Sequence, residues 1–456
     1  MILGTFRLPT RAVTKSVLSL AAPIAVIQAG MMLYGLVDTL FLGRVSAAAL
    51  AGAGVASATF HMVFLFGLGF LLGIDTLASR AFGAGKTGLC AEIIIHAMVL
   101  AALISAPIIA ALGAVEPLYW LVGIDKTVAD VALEYLAIFR WLALPALLFV
   151  CCRHYLQSMN ITRPLLFAIA VGNTVNVFIN YCLVFGHLGF PAMGVRGCAI
   201  ASVISACVML LVGLAAVLRQ ALRADYMFRS WSLGTFLELI QLGLPAGLHL
   251  MAEVSFFAMV TMLMARFGPV PTAGHQITMN FAALTFMIPL GISLAAAVQV
   301  GQGLGRQDPH AAVQAGDTAL MLGVTFMAGA GVIYMLIPEQ LIRLFTADPE
   351  VIAVGAPLLR IAAVFQIFDG TQVIMTGSLR GLGETRLPLY ATVCSHLLLG
   401  LPLGYWLAFH AEMGPPGLWI GLLTGLGVVA VTLFFMWRSR VAALLEHPPA
   451  IGVSRG

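Results

Sequence analysis

The chain has 456 residues, of which 61% are hydrophobic and only 9% charged, with a mean hydropathy of +1.03. Soluble globular domains carry about 25% charged residues, so this balance excludes a water-soluble enzyme or binding module and defines a polytopic membrane protein. The net charge of +4 is spread along loop after loop, which excludes a basic face for nucleic acid. The seven cysteines show no CxxC spacing and lie in or beside apolar runs, so they read as small buried hydrophobes and not as a disulfide framework.

Apolar windows of about 20 residues mark membrane-crossing helices. Twelve are predicted, centred near residues 28, 62, 102, 140, 172, 205, 250, 287, 325, 363, 397 and 427. The runs are too long and too little alternating for barrel strands, so the predicted class is all-α. The N-terminal segment is basic but has no cleavable pattern, and its first apolar run is too long for a signal peptide.

Span one carries Asp38 in YGLVDTLFLG. A lone carboxylate in a membrane helix costs roughly 2.5–3.5 kcal/mol on insertion scales, and such residues mark ion or substrate paths. Arg44, six residues on, is an alternative partner at the interface. In span two, His61 is expected to be a satisfied packing residue, and Asp75 an inner-end cap or ion pair with Arg80. Gly85-Lys86-Thr87 ends like a P-loop, but Arg80 stands where the first glycine belongs. Span five carries Asn173, Asn176 and Asn180 on one helical face. An Asp38–Asn176–Asn180 cluster would form a polar pocket; Asn173 reads equally well as interhelical glue. Asn160-Ile-Thr162 fits a glycosylation signal but falls in a loop assigned to the cytoplasm.

The second half repeats the first. Pro23, Gly52, Gly69 and Gly83 match Pro245, Gly274, Gly291 and Gly305, all at an offset of 222. Arg140 matches Arg360, and Met193-Gly194 matches Met413-Gly414, at 220; Thr162-Arg163 matches Thr385-Arg386 at 223. Six spans per half make the repeats parallel, an arrangement in which transporters place sites near the repeat interface. The predicted organisation is an N-terminal six-helix lobe over 1–218, a linker over 219–235, a C-terminal six-helix lobe over 236–440 and a tail over 441–456.

Span seven carries Glu253 in GLHLMAEVSFFAMV, and span ten carries Asp369 in AAVFQIFDGTQVIM. A carboxylate in such surroundings either holds a proton or is neutralised by a cation, and sodium as a hard ion suits oxygen ligands. Asp369 and Glu253 are therefore candidate coupling residues and candidate ligands of Na+. Arg360 precedes Asp369 by nine residues, about two and a half turns, so the two do not share a helix face. His396 in span eleven is expected to be satisfied by packing. Glu134, Glu238 and Asp317 are expected at the interface. With both termini and every second loop on one side, that side holds 16 Lys and Arg against five on the other, Arg140 and Arg360 being left within spans. This bias places both termini in the cytoplasm. The 27 Phe and 21 Met would suit a cavity for amphipathic cations of varied shape.

The segments VDTLFLG, DTLASRAFGAG, AGHQITMNFAALTFMIPLGIS and FDGTQVIMTGSLRGLGETRLP together resemble the multidrug and toxic compound extrusion (MATE) family, specifically its bacterial NorM branch, over residues 12–440. The resemblance implies two six-helix lobes around a V-shaped cleft. It implies antiport of organic cations and other drugs against inward sodium or proton flow, with no cofactor. The family's carboxylates in spans one, seven and ten match Asp38, Glu253 and Asp369, and its span-five asparagines match Asn176 and Asn180. Gln276, Phe286 and Phe365 fall where the family lines its cleft or places aromatics near the cation site. The expected setting is a bacterial inner membrane, and a duplicated chain needs no partner to build a cleft. The alternative is a flippase of the same broad superfamily for lipid-linked sugars, which would need a cationic cavity. A membrane-embedded enzyme or passive channel is the reading from another class, and no GxSxG, HExxH or paired Cys/His constellation supports an enzyme.

Overall fold

A computed structural model describes residues 9–223 and 231–446. Among them every regular element is helical. Twelve helices are long and apolar enough to cross a membrane: Arg11–Gly43, Ala47–Gly83, Thr87–Gly113, Lys126–Ser158, Arg163–Phe185, Val195–Leu222, Leu233–Phe267, Pro269–Gly305, Pro309–Leu336, Pro349–Gly381, Arg386–Phe409 and Pro415–Glu446. They are spans one to twelve, and the protein is a multi-pass membrane protein. Part of the predicted linker (224–230) and the end of the predicted tail (447–456), with Arg7, Arg229 and Arg455, lie outside the described residues.

Helix starts follow local chemistry. Ala49 N–H donates to Ser46 Oγ at 3.0 Å, Thr127 N–H to Asp125 at 2.9 Å, Ala311 N–H to Asp308 at 2.9 Å and Glu350 N–H to Asp348 at 2.9 Å. These caps satisfy amides that a helix start leaves open. Short helices at Glu116–Val122 and Pro338–Arg343 follow spans three and nine, one in each repeat.

The chain packs as two compact units, and the boundary differs from a cut at the linker. One unit comprises 26–82 and 86–247; the other comprises 1–25, 83–85 and 248–456. The first halves of spans one and seven each pack into the unit built mainly from the opposite repeat. The break after residue 25 and the break after residue 247 are repeat-equivalent, and Pro23 and Pro245 precede them by two residues. The packing reason lies in small residues. A methyl on Gly69 of span two would land 1.9 Å from Gly247 Cα of span seven, and a methyl on Gly291 of span eight 2.8 Å from Ala25 N of span one. Gly69 with Gly247 and Gly291 with Ala25 are the same pair in the two repeats. Each crossing is so close that only backbone fits, the device by which membrane helices gain dispersion contact.

Several polar residues sit deeper than the sequence suggests. Asp317 is not interfacial: it is fully buried, accepting from Arg438 Nη1 at 3.0 and 3.2 Å and from Trp437 Nε1 at 3.0 Å. Asp75 is buried and pairs with His154 Nδ1 at 2.7 Å, in place of the expected cap or Arg80 partner. Arg153, Arg380 and Arg438, three of the 16 Lys and Arg assigned from the sequence to the termini side outside the spans, are buried within spans four, ten and twelve. Each helix extends past its hydrophobic window, which carries these residues inside. His61 is exposed, its Nδ1 bonded to Ser57 O at 2.7 Å and its ring edge-on to Phe60 at 5.7 Å, so it is satisfied within its own helix and not buried in the core. Glu134 is half-buried and bridges Arg196 at 2.7 Å, and Glu238 is exposed.

Candidate functional site

Two polar sites form, one in each unit. The first is built on Asp38, 7% exposed near the end of span one. Asn176 and Asn180, one turn apart on span five, both donate from Nδ2 to Asp38 Oδ1, at 3.0 and 2.8 Å. Ser202 Oγ of span six donates to Oδ2. Tyr34, one turn before Asp38, donates from its hydroxyl to the backbone carbonyl of the same Ser202. Three helices are thus tied to one carboxylate. Arg44 is exposed and is not among its partners. Asn173 donates to Gly30 O at 3.1 Å and Ile169 O at 2.9 Å, which gives it the interhelical role. The side-chain oxygens of Asn173, Asn176 and Asn180 are buried and accept no hydrogen bond from protein. The groups that face Asp38 are N–H and O–H donors, which satisfy the carboxylate, while the unfilled amide oxygens of span five are acceptors for the donors of a cationic ligand.

The second site joins spans seven and ten. Asp369 is 5% exposed, and its carboxylate interacts electrostatically with that of Glu253. The Gln372 side chain, three residues after Asp369, lies beside Glu253. Neither carboxylate forms an ion pair with a described residue, and Arg360 is exposed. Two carboxyl groups, one buried and one half-buried, share a site with the Gln372 amide beside them. Such a pair is satisfied by a proton or a bound cation between the oxygens.

Phe365, one turn before Asp369, is buried in an aromatic group with Trp419 (5.8 Å between centroids) and Phe257 (6.1 Å). Trp419 Nε1 donates to His275 Nδ1 at 3.1 Å, fixing that group to span eight. Phe286 packs on a different apolar cluster, with Ile292 and Leu320, and Gln276 is exposed. The structure thus brings together Asp38 with Asn176 and Asn180, and Glu253 with Asp369 and the nearby Phe365. It does not bring Phe286 into the cluster that holds Phe365.

Ser202, Tyr34 and Gln372 were not legible in the sequence. Span six is rich in small residues, so nothing distinguishes Ser202. Gln372 had a usable signal, since it stands three residues from Asp369 on the same face.

The MatE family model matches residues 23–182 and 245–406, one block in each repeat. The chain is 35% identical over 441 residues to the multidrug resistance protein NorM of Burkholderia vietnamiensis, covering 94% of each chain. It is 34% identical over 417 residues to the probable multidrug resistance protein NorM of Brucella suis biovar 1 (strain 1330), covering 89% of this chain and 88% of the relative. Its fold superposes on a crystal structure of a eukaryotic MATE transporter with a TM-score of 0.85 at 20% identity, over 95% of this chain and 98% of that one. A MOP-superfamily transporter from Pyrococcus furiosus, whose pocket polarity is described as reversed, gives 0.86 at 20% identity over 97% and 100%. The two matched blocks, the duplicated helices and the relatives' identity agree: the chain belongs to the MatE family, in its NorM branch.

Proposed function

We propose that the protein is a secondary antiporter that exports amphipathic organic cations and other drugs in exchange for Na+ or H+. It is a transporter and not an enzyme, and its relatives are multidrug resistance proteins. The observation that carries the coupling assignment is the Glu253–Asp369 pair, a half-buried and a buried carboxyl group in electrostatic contact, neither in an ion pair with a described residue. A proton or sodium ion entering this site relieves their repulsion, and a cationic drug competes for the same negative charge. Antiport follows when ion and drug each favour a different conformation. Asp38, with Asn176 and Asn180, is the second polar site and takes drug or proton. The excess of Lys and Arg on the termini side supports cytoplasmic termini and a bacterial inner membrane as the setting. A single chain carries both sites, which supports a functional monomer.

The flippase reading requires uncompensated cations in the interior. Arg438 is paired with Asp317, and Arg153 donates to Gln28 at 2.8 Å and interacts with Asp75. Those partners leave the antiporter reading favoured. The test is ethidium efflux from proteoliposomes under sodium or proton gradients imposed separately. Asp369→Asn is expected to reduce gradient-driven efflux by about tenfold or more, within the usual range of coupling energies. Full gradient-driven efflux by that variant removes the coupling role.

A further inference from the structure

One group of side chains around the second site has no part in the mechanism above. Span eleven is not a regular helix, because Cys394–Gly400 winds as a π-helix. Pro402 follows it, and its missing N–H leaves a carbonyl in the preceding turn without its usual partner, a condition under which a helix widens. The widened segment carries His396, which is fully buried and stacked on Phe256 of span seven at 4.3 Å between ring centroids. Neither ring nitrogen of His396 bonds to a protein group. Gly425 of span twelve makes room for the ring, since a methyl there would stand 3.2 Å from His396 Cδ2.

His249 lies one turn before Glu253 on span seven. It is buried, its Nε2 bonds to no protein group, and His396 and Arg380 face it electrostatically. On span ten, Gln372, Thr376 and Arg380 follow Asp369 at three, seven and eleven residues, which is one helical stripe. Oγ1 of Thr376 is buried without a protein hydrogen bond, and the Gln372 amide, beside Glu253, is buried with no well-formed hydrogen bond to protein. From Asp369 to Arg380 the stripe descends about 16 Å at 1.5 Å per residue. It runs toward the end of the helix bundle that carries the 382–385 loop.

Buried polar atoms without partners are costly, and they are rarer still inside a membrane, where polar groups away from lipid line water or ion paths. Here they gather on three helices and continue from the two carboxylates. We propose that His249, His396, Gln372 and Thr376 line the path by which the coupling cation, with its water, leaves the Glu253–Asp369 site toward the side of the membrane on which spans ten and eleven connect. The imidazoles and amide take over hydration that the ion loses among the carboxylates. Arg380 at the far end repels a cation, so the path does not become a second binding site. The inference rests on the coupling role given above to Glu253 and Asp369.

The test compares two activities of the full-length protein in proteoliposomes. One is ethidium efflux driven by an imposed sodium or proton gradient; the other is ethidium–ethidium exchange without a gradient, which needs no net ion passage. His396→Phe is expected to lower gradient-driven efflux about tenfold or more, the size of one lost polar contact in a transfer step, while exchange stays within about twofold. His396→Asn, which restores a polar group, is expected to recover most of the driven rate. Wild-type driven efflux by His396→Phe overturns the proposal, as does an equal fall of both activities or a failure of Asn to rescue. Asp369→Asn in the same assay separates the two ideas. If it couples normally the carboxylate assignment fails, whereas a dead Asp369→Asn beside a normal His396→Phe sinks only the path.

Discussion

Replacing Asp38 separates the architectural role of its carboxylate from its charge. Three donors converge on it: the amides of Asn176 and Asn180 on one oxygen, and the Ser202 hydroxyl on the other. Asp38→Leu strands all three. Interhelical hydrogen bonds in membrane proteins average about 0.6 kcal/mol and reach about 1.7, so the loss sums to about 2–5 kcal/mol. Asp38→Asn behaves differently. Its carbonyl oxygen keeps both asparagine amides, and its NH2 faces the Ser202 oxygen, which a hydroxyl can offer as an acceptor after rotating. The expected cost is about 1 kcal/mol or less, the worth of one rearranged hydrogen bond. The assay is equilibrium unfolding of purified protein in mixed micelles by SDS titration. Asp38→Asn should be near wild type in stability yet impaired in drug export, since only the negative charge is gone. Equal stability of the Leu and Asn variants would show that the three contacts do not hold spans one, five and six together.

Asp317→Leu leaves Arg438 as a buried unpaired cation and is expected to destabilise by about 3–5 kcal/mol, while the double variant with Arg438→Leu recovers most of that loss; thermal denaturation of both in detergent decides it. Gly69→Ala places a methyl against the Gly247 backbone and should cost about 1–3 kcal/mol by overpacking, whereas Gly54→Ala, with nothing within 4 Å, should be neutral or stabilise by up to about 1 kcal/mol. SDS titration of the two proteins reads the contrast. Glu253→Gln combined with Asp369→Asn should impair gradient-driven efflux little more than either alone, because residues acting as one site are not additive; efflux rates that multiply would assign them separate tasks.

The twelve spans, the duplication and the isolated carboxylates were legible because hydropathy, repeat offset and charge are properties of the chain itself. The Asp38 cluster was half legible. The asparagine spacing on span five put two donors on one face, but no periodicity could identify Ser202 on a neighbouring helix. Arg153, Arg438 and Asp317 were misplaced for a common reason. Each lies toward a helix end, where charge normally means interface, and only tertiary pairing shows that the helix runs on and buries it. The exchange of half-helices between units was illegible as well, since Gly247 and Ala25 look like ordinary small residues until Gly69 and Gly291 are set against them.

The repeat that gives the two units the same scaffold does not give them the same chemistry. At the offset of 222, Asp38 corresponds to Val260 and Glu253 to Met31; at 220, Asp369 corresponds to Phe149; at 223, His396 corresponds to Asn173. Duplication therefore conserved the glycine crossings while the polar residues diverged. The outcome is two sites with opposite needs. Asp38 has three protein donors and is satisfied without a ligand. The Glu253–Asp369 pair has no ion-pairing partner among the described residues, and when both groups are ionised they repel, so its energy depends strongly on whether a proton or cation is present. A ligand shifts a conformational equilibrium only through its differential affinity for the two states. The site whose own groups leave it unsatisfied offers the larger differential, so under the proposed antiport mechanism the ion's main leverage on the transport cycle would come from the second unit.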